Sequence, residues 1–293
     1  MTKLITIKKK KITNLSNIRG IFSPMIRSRH PSHSALRKSL MRLPFRSVIR
    51  FGSTTELTDV HTLNGSRVEL NSIEAIKNSS SKIKMKNCFK ENNVKTAPFI
   101  ISNNREDIIE FARTHEFPIV KKANFGSRGT GNTIIKTSEE LEKSLTGNLS
   151  NYVFEKYCNY NKEYRLHISN NGSFYACRKM LKQEFKDHPN AWQRHDDNCV
   201  WILETNENFD KPNNWNLPDG IVEHCVKALK ACGLDFGACD LRVQNNTDKD
   251  GNKRENPDFI VVEINSAPSF GDITLEKYKE ILPQLLIQKY EKK

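Results

Sequence analysis

The C-terminal third of the chain contains two apolar segments that each include an acidic residue. Residues 237–243 contain Asp240, and residues 258–268 contain Glu263 and Asn265. Both segments are rich in β-branched and apolar residues, which predicts two strands. Alternate residues of a strand share a face, so Glu263 and Asn265 point the same way, about 6.6 Å apart, and Asp240 joins them if the strands pair. Three such side chains suit a hard cation such as Mg²⁺, although a solvated acidic sheet face gives the same pattern.

Size and composition indicate a globular protein with more than one packed unit. The 293 residues are enough for two or three such units. No apolar run approaches the length of about 18 residues that a membrane-spanning helix needs. The seven cysteines are scattered and include no C-x-x-C pair. This disfavours structural zinc or a disulfide framework and predicts a reducing, cytoplasmic location.

The positive charge is concentrated at the N-terminus. The formal net charge is +13, and residues 1–55 contain thirteen Lys or Arg without any Asp or Glu. Attraction to nucleic acid or another acidic partner is one interpretation. An organellar targeting segment is a second, and a solvated basic surface is a third. A purely cleavable targeting peptide is disfavoured, because residues 43–53 are typical of a buried strand that ends in a glycine turn.

A glycine-rich segment at residues 118–131 is the second strong pattern. An apolar strand ends at Lys121, and a loop and a further strand follow. The candidate loop residues are Gly126, Ser127, Gly129 and Gly131. Glycines let backbone N–H groups approach phosphate oxygens, and the lysine supplies a point charge. The spacing is not that of a Walker A loop, and no helix follows as in a Rossmann turn. A lid over a nucleotide fits better, with an ordinary hairpin turn as the alternative.

The next strands predict contacts to the rest of a nucleotide. An apolar strand over residues 152–157 ends in a short stretch whose backbone groups suit an adenine edge. That stretch is Glu155, Lys156, Tyr157 and Cys158. Glu163, where the following strand begins, is placed to accept hydrogen bonds from ribose hydroxyls. Each position is also compatible with an ordinary exposed strand end.

Periodicity and capping signals predict helices around these motifs. Asn103 with Glu106, and Thr137 with Glu140, resemble capping boxes. The predicted helices cover residues 72–77, 82–91, 103–114, 137–145, 219–232 and 274–290, and long polar loops cover residues 183–199 and 205–217.

In this order the motifs resemble the ATP-grasp superfamily, the carboxylate–amine ligase fold. The similarity covers roughly residues 70–275 and depends on the order of several weak motifs. It implies an α+β fold in which two α+β subdomains grip ATP, after a small N-terminal α/β unit. The implied boundaries are residues 1–95 for the basic N-terminal unit, 96–155 for the lid subdomain and 156–293 for the subdomain with the metal site.

The resemblance also implies roles for individual residues. Lys82 and Lys121 resemble the two lysines that hold the α- and β-phosphates. Residues 126–131 resemble the lid, and residues 155–158 resemble the adenine hinge. Glu163 resembles the ribose ligand. Asp240, Glu263 and Asn265 resemble the ligands of two Mg²⁺ ions, or Mn²⁺, that bridge ATP oxygens. Arg178 or Lys179 resembles a residue that reaches a phosphate.

The implied reaction begins with attack of a substrate carboxylate on the γ-phosphate, which gives an acyl phosphate and ADP. An amine then displaces phosphate. Phosphoryl transfer depends mainly on positioning and charge neutralisation, so no side-chain nucleophile is needed. The carboxylate and the amine are expected on small molecules, peptides or proteins, with no membrane involved.

One position departs from the pattern of the D-Ala–D-Ala ligase branch. That branch has an arginine where this chain has Ala238. Arg242, on the same face as Asp240, is the candidate substitute. Residues 192–195 are candidates for holding an anionic acceptor, with a surface loop of incidental charges as the alternative. Two other functions stay open: an ATP-grasp-fold kinase that phosphorylates a hydroxyl, and a nucleic-acid-binding module that uses the basic N-terminus.

Overall fold

The computed structural model describes residues 22–28, 30–57, 67–126, 129–189, 191–194, 198–204 and 220–292. The lysine run at residues 8–11, Ser127 and His195 lie outside these ranges, and so do the interpretations attached to them. Within the described ranges the chain forms three β-sheets, flanked by helices. This is an α+β architecture, as predicted.

The elements follow one another in chain order. The strands are β1 (Met25–Ser28), β2 (Ser47–Phe51), β3 (Val68–Leu70), β4 (Phe99–Ile100), β5 (Ile119–Ala123), β6 (Asn132–Ile135), β7 (Tyr152–Lys156), β8 (Lys162–Ser169), β9 (Gly172–Leu181), β10 (Cys199–Glu204), β11 (Phe236–Val243) and β12 (Phe259–Asn265). The helices are α1 (Leu36–Ser39), α2 (Ile73–Ser80), α3 (Lys82–Glu91), α4 (Arg105–His115), α5 (Ser138–Ser144), α6 (Ile221–Ala231) and α7 (Asp272–Glu291).

The first sheet brings part of the basic N-terminal region into the fold. Its strands follow the order β1-β2-β3 with parallel neighbours, and every residue of β2 is buried. Phe51 of β2 packs edge-on against Tyr278 of α7, with ring centroids 5.9 Å apart. The buried Arg50 forms an ion pair with Glu69 of β3. The first sheet is therefore packed against the last helix of the chain.

The second sheet has the order β4-β7-β5-β6 with antiparallel neighbours. Ile108 of α4, Leu141 of α5 and Phe154 of β7 belong to one buried apolar cluster. The two helices therefore cover one face of this sheet, and the other face is left for the cavity described below.

The helix caps in this part of the chain differ from the prediction at one position. The side chain of Asn104 accepts from the backbone N–H of Glu106 at 3.0 Å, so the cap of α4 is Asn104 and the predicted cap at Asn103 is wrong. Asn103 instead accepts from the backbone N–H of Leu149 at 3.1 Å. Thr137 caps α5, as predicted.

The third sheet contains the two acidic strands. Its order is β10-β9-β8-β11-β12 with antiparallel neighbours. The predicted pairing is confirmed, because Asp240 lies opposite Glu263 and Ala238 lies opposite Asn265. Helices α3 and α6 pack against one face through a buried apolar cluster. On the opposite face, His167 and Phe236 pack against Tyr278 of α7, and the acidic side chains face the cavity described below.

Candidate functional site

A cavity of about 560 Å³ lies between the second and third sheets. Strands β5 and β7 line one side, and β8, β9, β11 and β12 line the other. The predicted site residues that line it are Lys82, Gly126, Gly129, Glu155, Lys156, Tyr157, Cys158, Glu163, Lys179, Asp240, Arg242, Glu263 and Asn265. Lys121, Gly131 and Arg178 do not line it. The structure thus brings most of the predicted residues together around one space.

The three oxygen-bearing side chains of the acidic strands meet on the cavity side of β11 and β12. Asn265 Nδ2 donates to Oδ2 of Asp240 at 3.2 Å and to Oε1 of Glu263 at 3.3 Å. Arg165 of β8 lies opposite Asp240 in register. Its Nε and Nη2 donate to the two carboxylate oxygens of Asp240 at 2.6 and 2.8 Å. This bidentate ion pair was not predicted from the sequence.

Burial and neighbouring charges act in opposite directions on these carboxylates. Burial alone raises the pKa of Asp240, but the guanidinium of Arg165 outweighs it and holds that pKa below its usual range. Burial, together with the charge of Asp240, raises the pKa of Glu263. Two carboxylates and an amide within hydrogen-bonding distance are the hard donors that Mg²⁺ prefers. The residues present therefore fit that ion.

Two lysines line the cavity beside the glycine-rich loop. Lys82, the first residue of α3, donates from Nζ to the Gly126 carbonyl at 3.1 Å. Burial lowers the pKa of Lys82. Lys122 lines the cavity, whereas Lys121 lies on the opposite face of β5 and donates from Nζ to the Ser144 carbonyl at 2.6 Å. Successive residues of a strand point to opposite faces, so Lys122 occupies the place predicted for Lys121.

Glu155 is held between two ammonium groups. It is 5% exposed, and its Oε1 contacts Lys122 while its Oε2 lies 3.0 Å from Nζ of Lys86. Burial raises the pKa of Glu155, but Lys122 and Lys86 outweigh this effect and lower that pKa to about 2. Glu155 is therefore a buried, ionised carboxylate beside the cavity.

The predicted adenine hinge is fixed by backbone hydrogen bonds. The N–H of Lys156 donates to the Pro98 carbonyl at 2.9 Å, and the N–H of Tyr157 donates to the Pro118 carbonyl at 3.1 Å. These bonds tie the end of β7 to the segments before β4 and β5. The hinge, with Cys158 after it, lines the cavity on the side of the second sheet.

A row of alternating charges crosses the floor of the cavity on adjacent strands. Lys179 of β9, Glu163 of β8 and Arg242 of β11 are in register with one another. The carboxylate of Glu163 lies 3.2 Å from Nζ of Lys179 and 3.5 Å from Nε of Arg242. Arg178 is on the other face of β9, where its register partners are Tyr164 and Ile202.

The loop at residues 191–194 covers the hinge end of this row. Arg242 Nη2 donates to the Trp192 carbonyl at 2.6 Å, and the Trp192 ring lies edge-on to Tyr157 with centroids 6.3 Å apart. Gln193 Nε2 approaches the carbonyl of Asn132, in the second sheet, at 3.4 Å. The loop therefore contacts both sheets, and its predicted role in holding an anionic acceptor stays a prediction.

The glycine-rich lid has a conformation that depends on glycine. Gly126 has φ +152°, and a Cβ there would lie 2.7 Å from the Thr130 carbonyl oxygen. Gly131 has φ +76°, and its Cβ would lie 2.9 Å from Cβ of Ala123. Gly131 is therefore a packing position, whereas Gly126 and Gly129 line the cavity.

Comparison with known proteins identifies the fold around this cavity. A family model described as an ATP-grasp domain matches residues 87–212. These residues therefore resemble an ATP-grasp domain. The resemblance inferred from the sequence is thereby confirmed, together with the fold class. No curated protein sequence matches the chain.

Solved structures give the same fold over most of the chain. D-alanine–D-alanine ligase from Bacillus anthracis, complexed with ATP, is 15% identical with a TM-score of 0.58, over 92% of this chain and 96% of that chain. The ligase PsnB, complexed with a phosphomimetic variant of its minimal precursor, Mg and ADP, is 12% identical with a TM-score of 0.56, over 92% and 98%.

A third structure is matched over less of its length. Carboxyaminoimidazole ribonucleotide synthase from Aspergillus clavatus, complexed with ATP, is 15% identical with a TM-score of 0.53, and the match covers 82% of this chain but 60% of that one. At these identities the likeness establishes the ATP-grasp fold. In the described part of the chain, no helix is long and apolar enough to cross a membrane.

Proposed function

We propose that the protein is an ATP-dependent ligase that joins a carboxylate to an amine and releases ADP and phosphate. The observation that supports this most directly is the placement of Asp240, Glu263 and Asn265 in one cavity with Lys82 and Lys122. Hard-cation donors and ammonium groups around one space are what Mg²⁺-ATP requires. The three structures described above are nucleotide complexes of ligases or synthases with this fold.

In this proposal ATP lies along the cavity from the hinge to the acidic strands. The adenine contacts the backbone of residues 155–158, and Glu163 accepts from the ribose hydroxyls. Lys82 and Lys122 hold the phosphates, with Lys122 taking the role that the sequence suggested for Lys121. Lys179, 7% exposed and adjacent to Glu163, supplies a further positive charge.

Asp240, Glu263 and Asn265 would hold one or two Mg²⁺ ions. A bound Mg²⁺ neutralises phosphate charge and orients the transferring phosphoryl group. The chain's own contribution is to fix these donors on two paired strands and to keep them in a buried cluster. Because Arg165 already occupies both oxygens of Asp240, it must move or share that carboxylate when a metal ion is bound.

Arg165 is the better candidate for the arginine of the D-Ala–D-Ala ligase branch, for which the sequence suggested Arg242 as the substitute. Arg242 is held near the hinge by Glu163 and the Trp192 carbonyl. Arg165 instead lies at the acidic strands, where the γ-phosphate and the substrate carboxylate would meet. In this proposal its guanidinium stabilises the negative charge that develops when the carboxylate attacks the phosphate and when the amine displaces it.

The experiment that tests the proposed function is hydroxylamine trapping. The protein is incubated with Mg²⁺-ATP, hydroxylamine and pools of amino acids, peptides and small carboxylic acids, and ADP and hydroxamate are measured. We expect hydroxamate that depends on one pool, because hydroxylamine replaces the amine at the acyl phosphate. We expect Glu263→Gln to abolish it. A phosphorylated hydroxyl compound with no hydroxamate would show a kinase and overturn the ligase proposal.

A further inference from the structure

Lys86 occupies an unusual place beside the cavity, because it is a buried lysine that the nucleotide would not touch. Its side chain is 3% exposed, and it does not line the cavity. It lies on α3 one turn after Lys82, so the two side chains share a helix face. A buried ammonium group is costly unless it is paired, so its partners show what it does.

The contacts of Lys86 connect three parts of the site. Its Nζ lies 3.0 Å from Oε2 of Glu155, in the hinge. The same Nζ donates to Oγ1 of Thr96 at 2.6 Å, and Thr96 Oγ1 donates in turn to the Val261 carbonyl of β12 at 2.8 Å. β12 also contains Glu263 and Asn265. Lys86 thus links the helix that starts at Lys82, the hinge and the metal strand.

The charges of Lys86, Glu155 and Lys122 suggest how Lys86 contributes to nucleotide binding. Glu155 is one carboxylate shared by two ammonium groups, Lys86 in the interior and Lys122 at the cavity. With both lysines present, the cluster has a net charge of one positive unit, and the ammonium group that faces the cavity is Lys122. Without Lys86, the Glu155 carboxylate would neutralise Lys122, and the phosphates would meet no net charge there.

We infer that Lys86 is a positioning residue that neutralises Glu155 so that Lys122 remains available to the phosphates of a bound nucleotide. The inference builds on the proposed ATP-binding function of this cavity. It assigns to Lys86 an electrostatic role that acts on the phosphates and not on the nucleoside. A purely structural role in holding the hinge would instead affect adenine and phosphates alike.

Calorimetric titration of the full chain with adenosine and with Mg²⁺-ADP separates these roles. We expect Lys86→Met to weaken ADP binding by at least about tenfold, which is ~1.4 kcal/mol, and to change adenosine binding by less than about twofold. Lys86→Arg keeps the charge and should keep most of the ADP affinity. Lys90→Met is the matched control, because Lys90 is exposed one turn further along α3.

The double variant Lys86→Met with Glu155→Gln gives the decisive comparison. Removal of the carboxylate frees Lys122, so ADP affinity should recover relative to Lys86→Met alone. Equal losses for adenosine and ADP, or no recovery in the double variant, would overturn the inference while leaving ATP binding by the wild-type protein intact. A wild-type protein that binds neither adenosine nor ADP would overturn the proposed function itself. Thermal melting of each variant reports whether it is folded.

Discussion

The ion pair between Arg165 and Asp240 gives the sharpest test of what stabilises the acidic strands. Arg165→Met removes both hydrogen bonds to Asp240, at 2.6 and 2.8 Å, and leaves a carboxylate that is only 11% exposed in its side chain. Breaking a buried pair in this way costs about 3–5 kcal/mol. Asn265 still donates to Asp240, so we expect a loss near ~3 kcal/mol. At about 2–4 °C per kcal/mol, the melting temperature should fall by roughly 6–12 °C.

The assay is thermal melting with and without Mg²⁺, after treatment with a chelator. We expect Mg²⁺ to recover part of the loss in Arg165→Met, because the cation replaces the guanidinium beside Asp240. The control is Arg113→Met, which removes an Arg–Glu pair of the same 2.6 Å separation whose side chains are 73% and 62% exposed. Exposed pairs contribute little, so this variant should melt within about 2 °C of the wild type. The reasoning is refuted if Arg165→Met, measured without Mg²⁺, also melts within about 2 °C of the wild type.

Three further outcomes follow from the site. Lys122→Met should weaken ADP binding by tenfold or more while Lys121→Met leaves it within about twofold, as measured by calorimetry, because only Lys122 faces the cavity. The pKa of Glu155 is lowered from 4.5 to about 2, so its contribution to stability is present above pH 4.5 and is lost as the pH falls towards 2. Urea unfolding midpoints should therefore fall less steeply over that range in Glu155→Gln than in the wild type. Gly126→Ala should weaken ADP binding because its Cβ meets the Thr130 carbonyl oxygen. Gly147→Ala is also at a positive φ, +73°, but its Cβ meets no atom within 4 Å, so this control for backbone strain should leave binding unchanged.

The sequence was sufficient to predict the structure where a local pattern of residues is compatible with only one arrangement of strands. Two apolar segments, one with Asp240 and the other with Glu263 and Asn265, predicted the pairing of β11 and β12, and the register confirms it. The strand predicted at β5 is also present. The alternation of side chains along a strand, however, does not say whether Lys121 or Lys122 faces the cavity. That choice depends on the packing of Ile119 and Phe154 against α4 and α5, which is a tertiary property.

Other features depend on contacts between distant parts of the chain. Arg165 and Lys86 are charged residues in a strand and a helix, and nothing in their own segments marks Lys86 as buried or Arg165 as paired with Asp240. They acquire partners only when β8 lies beside β11 and α3 lies beside β7. Strand β10 was missed for a related reason. It is at the edge of its sheet, and its Val200 and Ile202 are exposed, so burial does not impose a clear alternation of apolar and polar residues.

The charge pattern of the cavity connects these observations to the proposed function. Glu155 is paired with Lys86 and Lys122, Glu163 with Lys179 and Arg242, and Asp240 with Arg165. Among the described residues, Glu263 has no such ion pair. A metal ion at Asp240 would therefore have to displace Arg165, whereas Lys122 shares the carboxylate of Glu155 with Lys86. A buried ion pair contributes little net stability, but removal of one partner is costly. Displacement of Arg165 from Asp240 therefore has a free-energy cost near zero only when the cation that binds there replaces the charge of the guanidinium. We therefore expect such a site to bind Mg²⁺ and nucleotide together far better than either alone, because a cation held by Asp240 would leave the Arg165 guanidinium able to contact a phosphate.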